Sequence, residues 1–336
     1  MKAAVLENKE MIVVKDVPVP EIRNDEVLVQ VKACGVCGTD ILAYKGDYMP
    51  HFPLIMGHEF SGIVVKTKKE VSNFKKGDRV TVWPDYYCHK CINCQRGFEK
   101  FCSNWQSIGF TLDGAYAEYI SVREENLFHL PDTVSFDEGT FIEPANCVYQ
   151  GIKIIPEYFD KRVLIIGAGA IGLIHLVLLK AKNTASIDLM DISDEKLEFA
   201  KQLEADNVFN TKNSKKNLYD IIKNKYDVIF DCSGVPEVIE KSFDLLETGG
   251  HFILFGVAPT KSKISLRPYT IYEQGWNITG VFSDNKDCNT IINMIGSGKL
   301  NFKPIISHRF KLDNFLDAFK IFLDKEGNRR KMIIYN

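Results

Sequence analysis

The chain has 336 residues, of which 45% are hydrophobic and 26% charged, and its formal net charge is −2. This length allows two domains with separate cores, and the near-neutral charge argues against a nucleic acid or an anionic membrane surface as partner. The first ten residues carry charges and no long apolar run follows, so we expect a cytoplasmic location without a signal or a membrane span.

The first 33 residues predict a β-rich start to the chain. Residues 3–6 and 11–15 read as short strands, and residues 26–32 alternate apolar and polar side chains as a half-exposed strand does. This pattern differs from the helix and strand alternation that follows later.

Nine cysteines, an odd number, suggest metal ligands rather than disulfides in the cytoplasm. Cys37, His58 and Glu59 supply a thiolate, an imidazole and a carboxylate, which zinc accepts while keeping a position open for water or substrate. Cys34 and Cys37 could instead form a redox pair, although such a pair normally opens a helix in a βαβ unit. His58 could also be a hydrogen-bonded core histidine.

The segment 88–102 predicts a second metal site of a different kind. Four cysteine thiolates would complete a tetrahedral zinc site with no open position, so we expect a structural role. The alternative is four incidental thiols on a polar loop. The predicted ligands are Cys88, Cys91, Cys94 and Cys102.

From about Cys147 the pattern changes to alternating strands and helices, which places a domain boundary there. Residues 163–166 form a buried type of strand, and the glycine pattern G-x-G-x-x-G follows directly. Gly167 allows a tight turn, Gly169 lets the backbone approach a pyrophosphate, and Gly172 permits close packing of helix and strand.

The helix that follows begins with Ala170 and Ile171, and its N-terminus would face the anion. Asp191 ends the next strand about 20 residues after the loop, where a carboxylate can bond the ribose hydroxyls and repel a 2′-phosphate. We therefore expect NAD rather than NADP. A plain strand-to-helix turn in another α/β protein is the alternative.

Three further strands are predicted, at 226–231, 250–257 and 276–282. Ser233 and Val257 lie at the carboxyl ends of the first two, where loops of a doubly wound sheet flank the nicotinamide half of the cofactor. The last of these strands is apolar and lies near a sheet edge.

Five motifs occur in an order that resembles the zinc-dependent medium-chain dehydrogenase/reductase family. The resemblance covers essentially the full length, and Glu143 favours the sorbitol (polyol) dehydrogenase branch, since alcohol dehydrogenases usually have cysteine there. The motifs are Cys37-Gly-Thr-Asp40, Gly57-His-Glu59, the Cys88 to Cys102 spacing, Gly114-Ala-Tyr-Ala-Glu-Tyr119 and Gly167-Ala-Gly-Ala-Ile-Gly172.

The resemblance implies an α/β fold in which a β-rich GroES-like catalytic domain accompanies a Rossmann doubly wound parallel sheet. The catalytic domain would span 1–146 and carry the zinc loop at 88–102. The NAD-binding domain would span 147–283, and residues 284–336 would return to complete the catalytic domain. In this family an apolar edge strand, here 276–282, pairs with its counterpart in a second copy, so the resemblance implies a homodimer or homotetramer.

The resemblance also implies roles for individual residues. Glu143 would join the Cys37, His58 and Glu59 set, directly or through zinc-bound water. Thr39 would pass on the hydroxyl proton, and Asp40 would orient His58. Lys196 would contact the adenosine ribose, Val281 and Phe282 would orient the carboxamide, and Tyr44, Tyr48 and Phe110 are weaker candidates for the substrate pocket.

The implied reaction is the reversible NAD-linked oxidation of a secondary hydroxyl in a polyol, a sugar alcohol with or without a phosphate, or a sugar acid. Two departures affect the substrate: Leu42 replaces a relay histidine, and Ser283-Asp284 replaces an Arg-Tyr pair of sorbitol dehydrogenases. The alternatives are a threonine or simple secondary-alcohol dehydrogenase, and a non-catalytic NAD-binding regulatory protein.

Overall fold

The computed structural model describes residues 1–47, 51–212, 218–282, 287–324 and 329–336 of the chain. The chain divides into two compact units, one formed by Met1–Asn146 with Asn285–Asn336 and the other by Cys147–Asp284. No helix within the described ranges is both long and apolar enough to cross a membrane.

The strands are short and most have one or two buried faces. In chain order they are β1 (Lys2–Asn8), β2 (Met11–Asp16), β3 (Glu26–Gly35), β4 (Leu54–Ile55), β5 (Glu59–Thr67), β6 (Arg79–Val82), β7 (Asp85–Tyr86), β8 (Gln106–Ser107), β9 (Tyr119–Arg123), β10 (Leu127–His129), β11 (Arg162–Ile166), β12 (Ser186–Asp191), β13 (Asn207–Asn210), β14 (Tyr226–Asp231), β15 (Leu246–Leu254), β16 (Asn277–Gly280), β17 (Ile306–Lys311) and β18 (Lys331–Tyr335).

The α-helices are concentrated in the second half of the chain. They are α1 (Gly38–Tyr44), α2 (Ile92–Gln95), α3 (Phe136–Gly139), α4 (Ile142–Lys153), α5 (Ala170–Lys180), α6 (Asp194–Gln202), α7 (Pro236–Ser242), α8 (Pro268–Gln274), α9 (Cys288–Gly296) and α10 (Phe315–Leu323).

The first unit is built around β3. Its Val27, Val29 and Val31 are buried, as period-2 alternation requires, and the strand pairs with β5, β9 and β18. Within the described residues these strands belong to a seven-stranded sheet, in which six strands follow the path β10-β6-β5-β3-β18-β17 and the seventh, β9, pairs with β3 off this path. Pairing of β18 with β3 brings residues from the end of the chain beside the segment that carries Cys37.

The second unit contains one parallel sheet in the order β13-β12-β11-β14-β15-β16. Counted from its own first strand, β11, this is the order 3-2-1-4-5-6 of a dinucleotide-binding sheet. Val163, Leu164 and Ile165 are fully buried at its centre, because helices cover both faces of such a sheet. The predicted fold class is therefore confirmed.

The sixth strand is shorter than predicted. The sequence predicts a strand over 276–282, but β16 covers only Asn277–Gly280. Val281 and Phe282 follow it outside the strand, and the Phe282 side chain is 49% exposed. Apolar composition alone does not distinguish a strand residue from an exposed residue that follows the strand.

Candidate active site

Cys37 lies at the junction of β3 and α1. It has an extended backbone conformation and is the N-cap residue of α1, and its N–H donates to Asp40 Oδ2 over 2.9 Å. Thr39 Oγ1 lies 3.3 Å from Cys37 Sγ. The helix start therefore holds the thiol and a hydroxyl side by side.

His58 and Glu59 enter the same site from the start of β5. Both are buried, and Glu59 is paired with Gly35 of β3 in the antiparallel ladder. One ligand atom each from Cys37, His58 and Glu59 lie within 4.8 Å of one another. The two strands thus bring together the three residues that the sequence predicted as a ligand set.

The donor chemistry of this set, in which His58 and Glu59 are buried and Cys37 is half-buried, fits a zinc ion. A thiolate, an imidazole and a carboxylate are accepted ligands, and three protein ligands leave a fourth position for substrate. Burial and the charge of Glu59 raise the pKa of Cys37, since a second anion is unfavourable there. A divalent cation would relieve this repulsion between negative groups.

Glu143 lies near the set without belonging to it. Its carboxylate is not among the mutually close ligand atoms of the described residues. Burial, with Glu59 and Asp85 adding to its effect, raises the pKa of Glu143 to about 7 although His58 opposes the shift. Direct coordination by Glu143 stays a prediction.

Lys331 is a site residue that sequence reasoning missed. Its side chain is 2% exposed, and its ammonium group forms an ion pair with Glu59 Oε2. The signal in the sequence was weak: a lysine at the start of the apolar strand β18 is the only hint. A buried lysine needs a partner of opposite charge, so this ion pair restrains the position of the Glu59 carboxylate.

The four cysteines of the 88–102 loop converge in a second cluster, with their sulfur atoms all within 4.8 Å of one another. The N–H of Cys91 donates to Cys88 Sγ, and those of Cys88 and Asn104 donate to Cys102 Sγ, each over 3.3 Å. Backbone N–H donors lower the pKa of Cys91 to about 5, whereas burial raises the pKa of Cys94 to about 12. Thiolates stabilised by amides in an all-cysteine set fit a structural zinc ion.

The glycine loop joins β11 to α5. Gly167 has φ +100°, and a Cβ on Gly172 would lie 1.9 Å from the Gly167 carbonyl oxygen, so both positions require glycine. A Cβ on Gly169 would have no atom within 4 Å. The loop therefore offers open space in front of the α5 N-terminus, where Ala170 and Ile171 begin the helix, and this space fits a pyrophosphate.

Asp191 lies beside this loop at the end of β12. Its Oδ2 accepts the N–H of Ala168 over 2.8 Å, and its Oδ1 accepts those of Ile192 and Ser193 over 2.7 and 2.9 Å. Ser193 is the N-cap of α6, and its hydroxyl accepts the N–H of Lys196. These bonds order the backbone between the end of β12 and the first turn of α6, which carries Lys196.

The other predicted cofactor residues follow the carboxyl ends of β14, β15 and β16. Ser233 Oγ donates to Asp231 Oδ1 over 2.6 Å. A Cβ on Gly234 would lie 2.5 Å from the Val257 carbonyl oxygen, so the turn after β14 lies against Val257, whose side chain is 72% exposed. Val281 and Phe282 follow β16.

The three candidate substrate residues have different surroundings. The Phe110 ring is buried, and its centroid lies 4.8 Å from that of His58. Tyr44 contacts Phe319 edge to face at 5.1 Å, as a packing residue does. Tyr48 lies outside the described residues.

Two sequence families match the chain. Residues 23–132 match the alcohol dehydrogenase GroES-like domain, and residues 170–297 match the zinc-binding dehydrogenase family. The first match contains both clusters of candidate metal ligands, and the second begins at α5 directly after the glycine turn.

Individual relatives cover nearly the whole chain. D-arabinitol dehydrogenase 1 of Uromyces fabae is 31% identical over 93% of this chain and 90% of its own length. L-threonine 3-dehydrogenase of Rhizobium etli (strain CIAT 652) is 30% identical over 99% of this chain and 98% of its own. One similar solved structure is described as a zinc-binding dehydrogenase from Sinorhizobium meliloti 1021 bound to NADP. Its TM-score to this chain is 0.94 at 29% sequence identity, and the match covers 100% of this chain and 99% of that one.

Proposed function

The chain belongs to the zinc-binding dehydrogenases with an alcohol dehydrogenase GroES-like domain, and on that premise we propose that it oxidises a secondary hydroxyl of a polyol, a sugar alcohol or a sugar acid, reversibly and with NAD. The observation that carries the proposal is the convergence of half-buried Cys37 with buried His58 and Glu59, a set that leaves one coordination position open. Similarity to an arabinitol dehydrogenase supports the polyol class.

Cys37, His58 and Glu59 would hold the zinc ion, which supplies Lewis-acid chemistry that makes a hydroxyl more acidic. Thr39 would accept the hydroxyl proton as it gives up its own, since its hydroxyl lies next to Cys37. Leu42 cannot carry that proton further, so Glu143 would receive it, directly or through water. Asp40 and Lys331 would hold His58 and Glu59 in place.

The glycine loop, the α5 N-terminus and Asp191 would bind the dinucleotide, which accepts a hydride in this class of reaction. Asp191 supports NAD over NADP, because a carboxylate repels a 2′-phosphate and bonds ribose hydroxyls. Lys196, Ser233, Val257, Val281 and Phe282 are proposed contacts to the same molecule.

A threonine-type dehydrogenase is the second candidate, favoured by the 30% identity to L-threonine 3-dehydrogenase over almost the entire chain. The ligand residues that both activities need are the same, so the metal centre does not separate them.

We also propose a homodimer or homotetramer, since β16 forms an edge of the parallel sheet.

The proposal is tested by NADH formation with free polyols, their phosphates, sugar acids, threonine and simple secondary alcohols, each with and without a strong zinc chelator. We expect chelator-sensitive turnover of one class. Cys37→Ser should abolish this turnover and retain NADH binding, whereas the control Cys288→Ser, a buried cysteine outside both clusters, should remain active. Undiminished activity of Cys37→Ser would contradict the zinc mechanism.

A further inference from the structure

Two buried polar atoms face each other behind the metal-ligand set. Asp40 Oδ1 and His58 Nδ1 are 3.7 Å apart, and neither has a hydrogen-bond partner among the described residues. This separation exceeds that of a hydrogen bond by about 0.7 Å. A ligating histidine normally donates its other ring N–H to such a carboxylate, so Asp40 is placed to set the orientation of His58.

The other oxygen of Asp40 is held by two donors. The Tyr116 hydroxyl donates to Oδ2 over 2.5 Å, and the N–H of Cys37 donates to the same atom over 2.9 Å. With Oδ2 occupied in this way, the carboxylate can rotate little, and Oδ1 is the atom left for His58. One carboxylate therefore connects two of the three metal-ligand residues.

Tyr116 is itself tightly fixed. Its side chain is fully buried, its ring lies 4.7 Å from that of Phe315, and its N–H donates to the Met56 carbonyl over 3.0 Å. A Cβ on Gly57, the residue before His58, would lie 2.9 Å from the Tyr116 ring. The tyrosine thus contacts the backbone that carries His58 as well as the carboxylate that faces it.

We propose that Tyr116 is a positioning residue for the metal centre, whose hydroxyl fixes Asp40 so that Oδ1 faces His58 Nδ1 and can accept its N–H when Nε2 binds a metal ion. This inference rests on the proposed function. Removal of the hydroxyl leaves Asp40 with only the Cys37 amide on Oδ2, so the carboxylate gains freedom and the metal site loses preorganisation. Loss of a hydrogen-bond partner of a metal ligand typically lowers metal affinity about 10- to 100-fold. Tyr116 acts on the metal through Asp40 and His58, so we expect its loss to lie at the lower end of that range.

The test is the zinc affinity of purified Tyr116→Phe, measured by competition with a fluorescent zinc chelator. The matched control is Tyr226→Phe. Tyr226 is equally buried and donates to a carboxylate, Asp188 Oδ2, over 2.7 Å, but Tyr226 and Asp188 lie in the second unit and not with the metal-ligand set. We expect Tyr116→Phe to bind the zinc ion of the Cys37 set about tenfold more weakly, while its affinity in Tyr226→Phe is unchanged. That ion is identified as the one missing from Cys37→Ser.

Wild-type affinity in folded Tyr116→Phe would overturn the role of Tyr116 alone. A wild-type protein that binds zinc only at the four-cysteine loop would contradict the proposed function as well. If Tyr116→Phe does not fold, tyrosine ¹³Cζ spectra of the wild type replace it: zinc should shift the Tyr116 signal and leave that of Tyr226 in place. A Tyr116 signal unmoved by zinc would overturn the proposal, since coupling between two sites is reciprocal.

Discussion

Asp191 connects two features of the dinucleotide loop at the scale of one residue. Its Oδ2 bonds the N–H of Ala168 inside the loop, so the carboxylate lies where the loop and the end of β12 meet. Three of the about four lone-pair sites of this carboxylate accept backbone N–H groups, so about one site, on Oδ2, is left for a ribose hydroxyl. The same negative charge opposes an added phosphate.

We expect Asp191→Ala to raise the Kd for NADH about tenfold or more and to reduce the preference for NADH over NADPH, because bonds to a charged group are lost and the repulsion is removed. Fluorescence titration with both cofactors measures this. Asp194→Ala is the control: it removes the same charge from an exposed position whose carboxylate bonds Asn210. Preference of the unmutated protein for NADPH would refute the reading of Asp191.

At the scale of an element, the connection from β11 to α5 separates two uses of glycine. Gly172 is required by the fold, since its hydrogen faces the Gly167 carbonyl where no Cβ fits. Gly169 has φ −79° and open space in front of it, so alanine is compatible with the folded chain. Only a bound pyrophosphate would need the space beside Gly169.

Gly172→Ala should therefore destabilise the protein by about 1–3 kcal/mol, the range for overpacking. Gly169→Ala should change the free energy of unfolding by about 0.5 kcal/mol or less and weaken NADH binding at least about tenfold, as a group that blocks a phosphate contact does. Urea unfolding and NADH titration of each variant provide the comparison. Normal NADH binding by Gly169→Ala would place the cofactor phosphates elsewhere.

At the scale of the whole molecule, the four-cysteine loop and the second unit have separate supports. Cys94 and Cys102 belong to a small buried cluster with Tyr87, to which Trp105 adds a partly buried ring. The loop around them exposes Phe98 and Phe101, so apolar burial contributes little to its stability and a bound metal ion would contribute most of it. The parallel sheet of Cys147–Asp284 has its own core.

We expect Cys94→Ser to lose one zinc ion per chain and to open the loop locally, since metal binding at a closed zinc site supplies the free energy that folds the surrounding loop. Limited trypsin digestion should then cut at Arg96 or Lys100, while NADH binding persists. The control Cys288→Ser changes a buried cysteine in α9 and should keep both the metal and the resistance to trypsin. Resistance of Cys94→Ser to trypsin at these positions would mean that packing, not metal, orders the loop.

Short segments of sequence determined the features that local geometry controls. The spacing of the glycines after β11, the acid at the end of β12 and the four closely spaced cysteines were readable because each motif lies within one turn, strand end or loop. The fold class was also readable, since a buried strand followed by a helix repeats through the second half of the chain. The exact end of β16 was not, because apolar residues continue past the last paired position.

Only the tertiary structure decided how the metal-ligand set is supported. Tyr116 and Asp40 are 76 residues apart in the chain, and Lys331 and Glu59 are 272 apart, so no local pattern joins either pair. The pairing of β18 with β3 accounts for the position of Lys331. In the sequence alone, a lysine in an apolar strand or a tyrosine outside one has many possible partners. Because a buried charged or polar group must be paired, its partner is the group that the folded chain brings within reach.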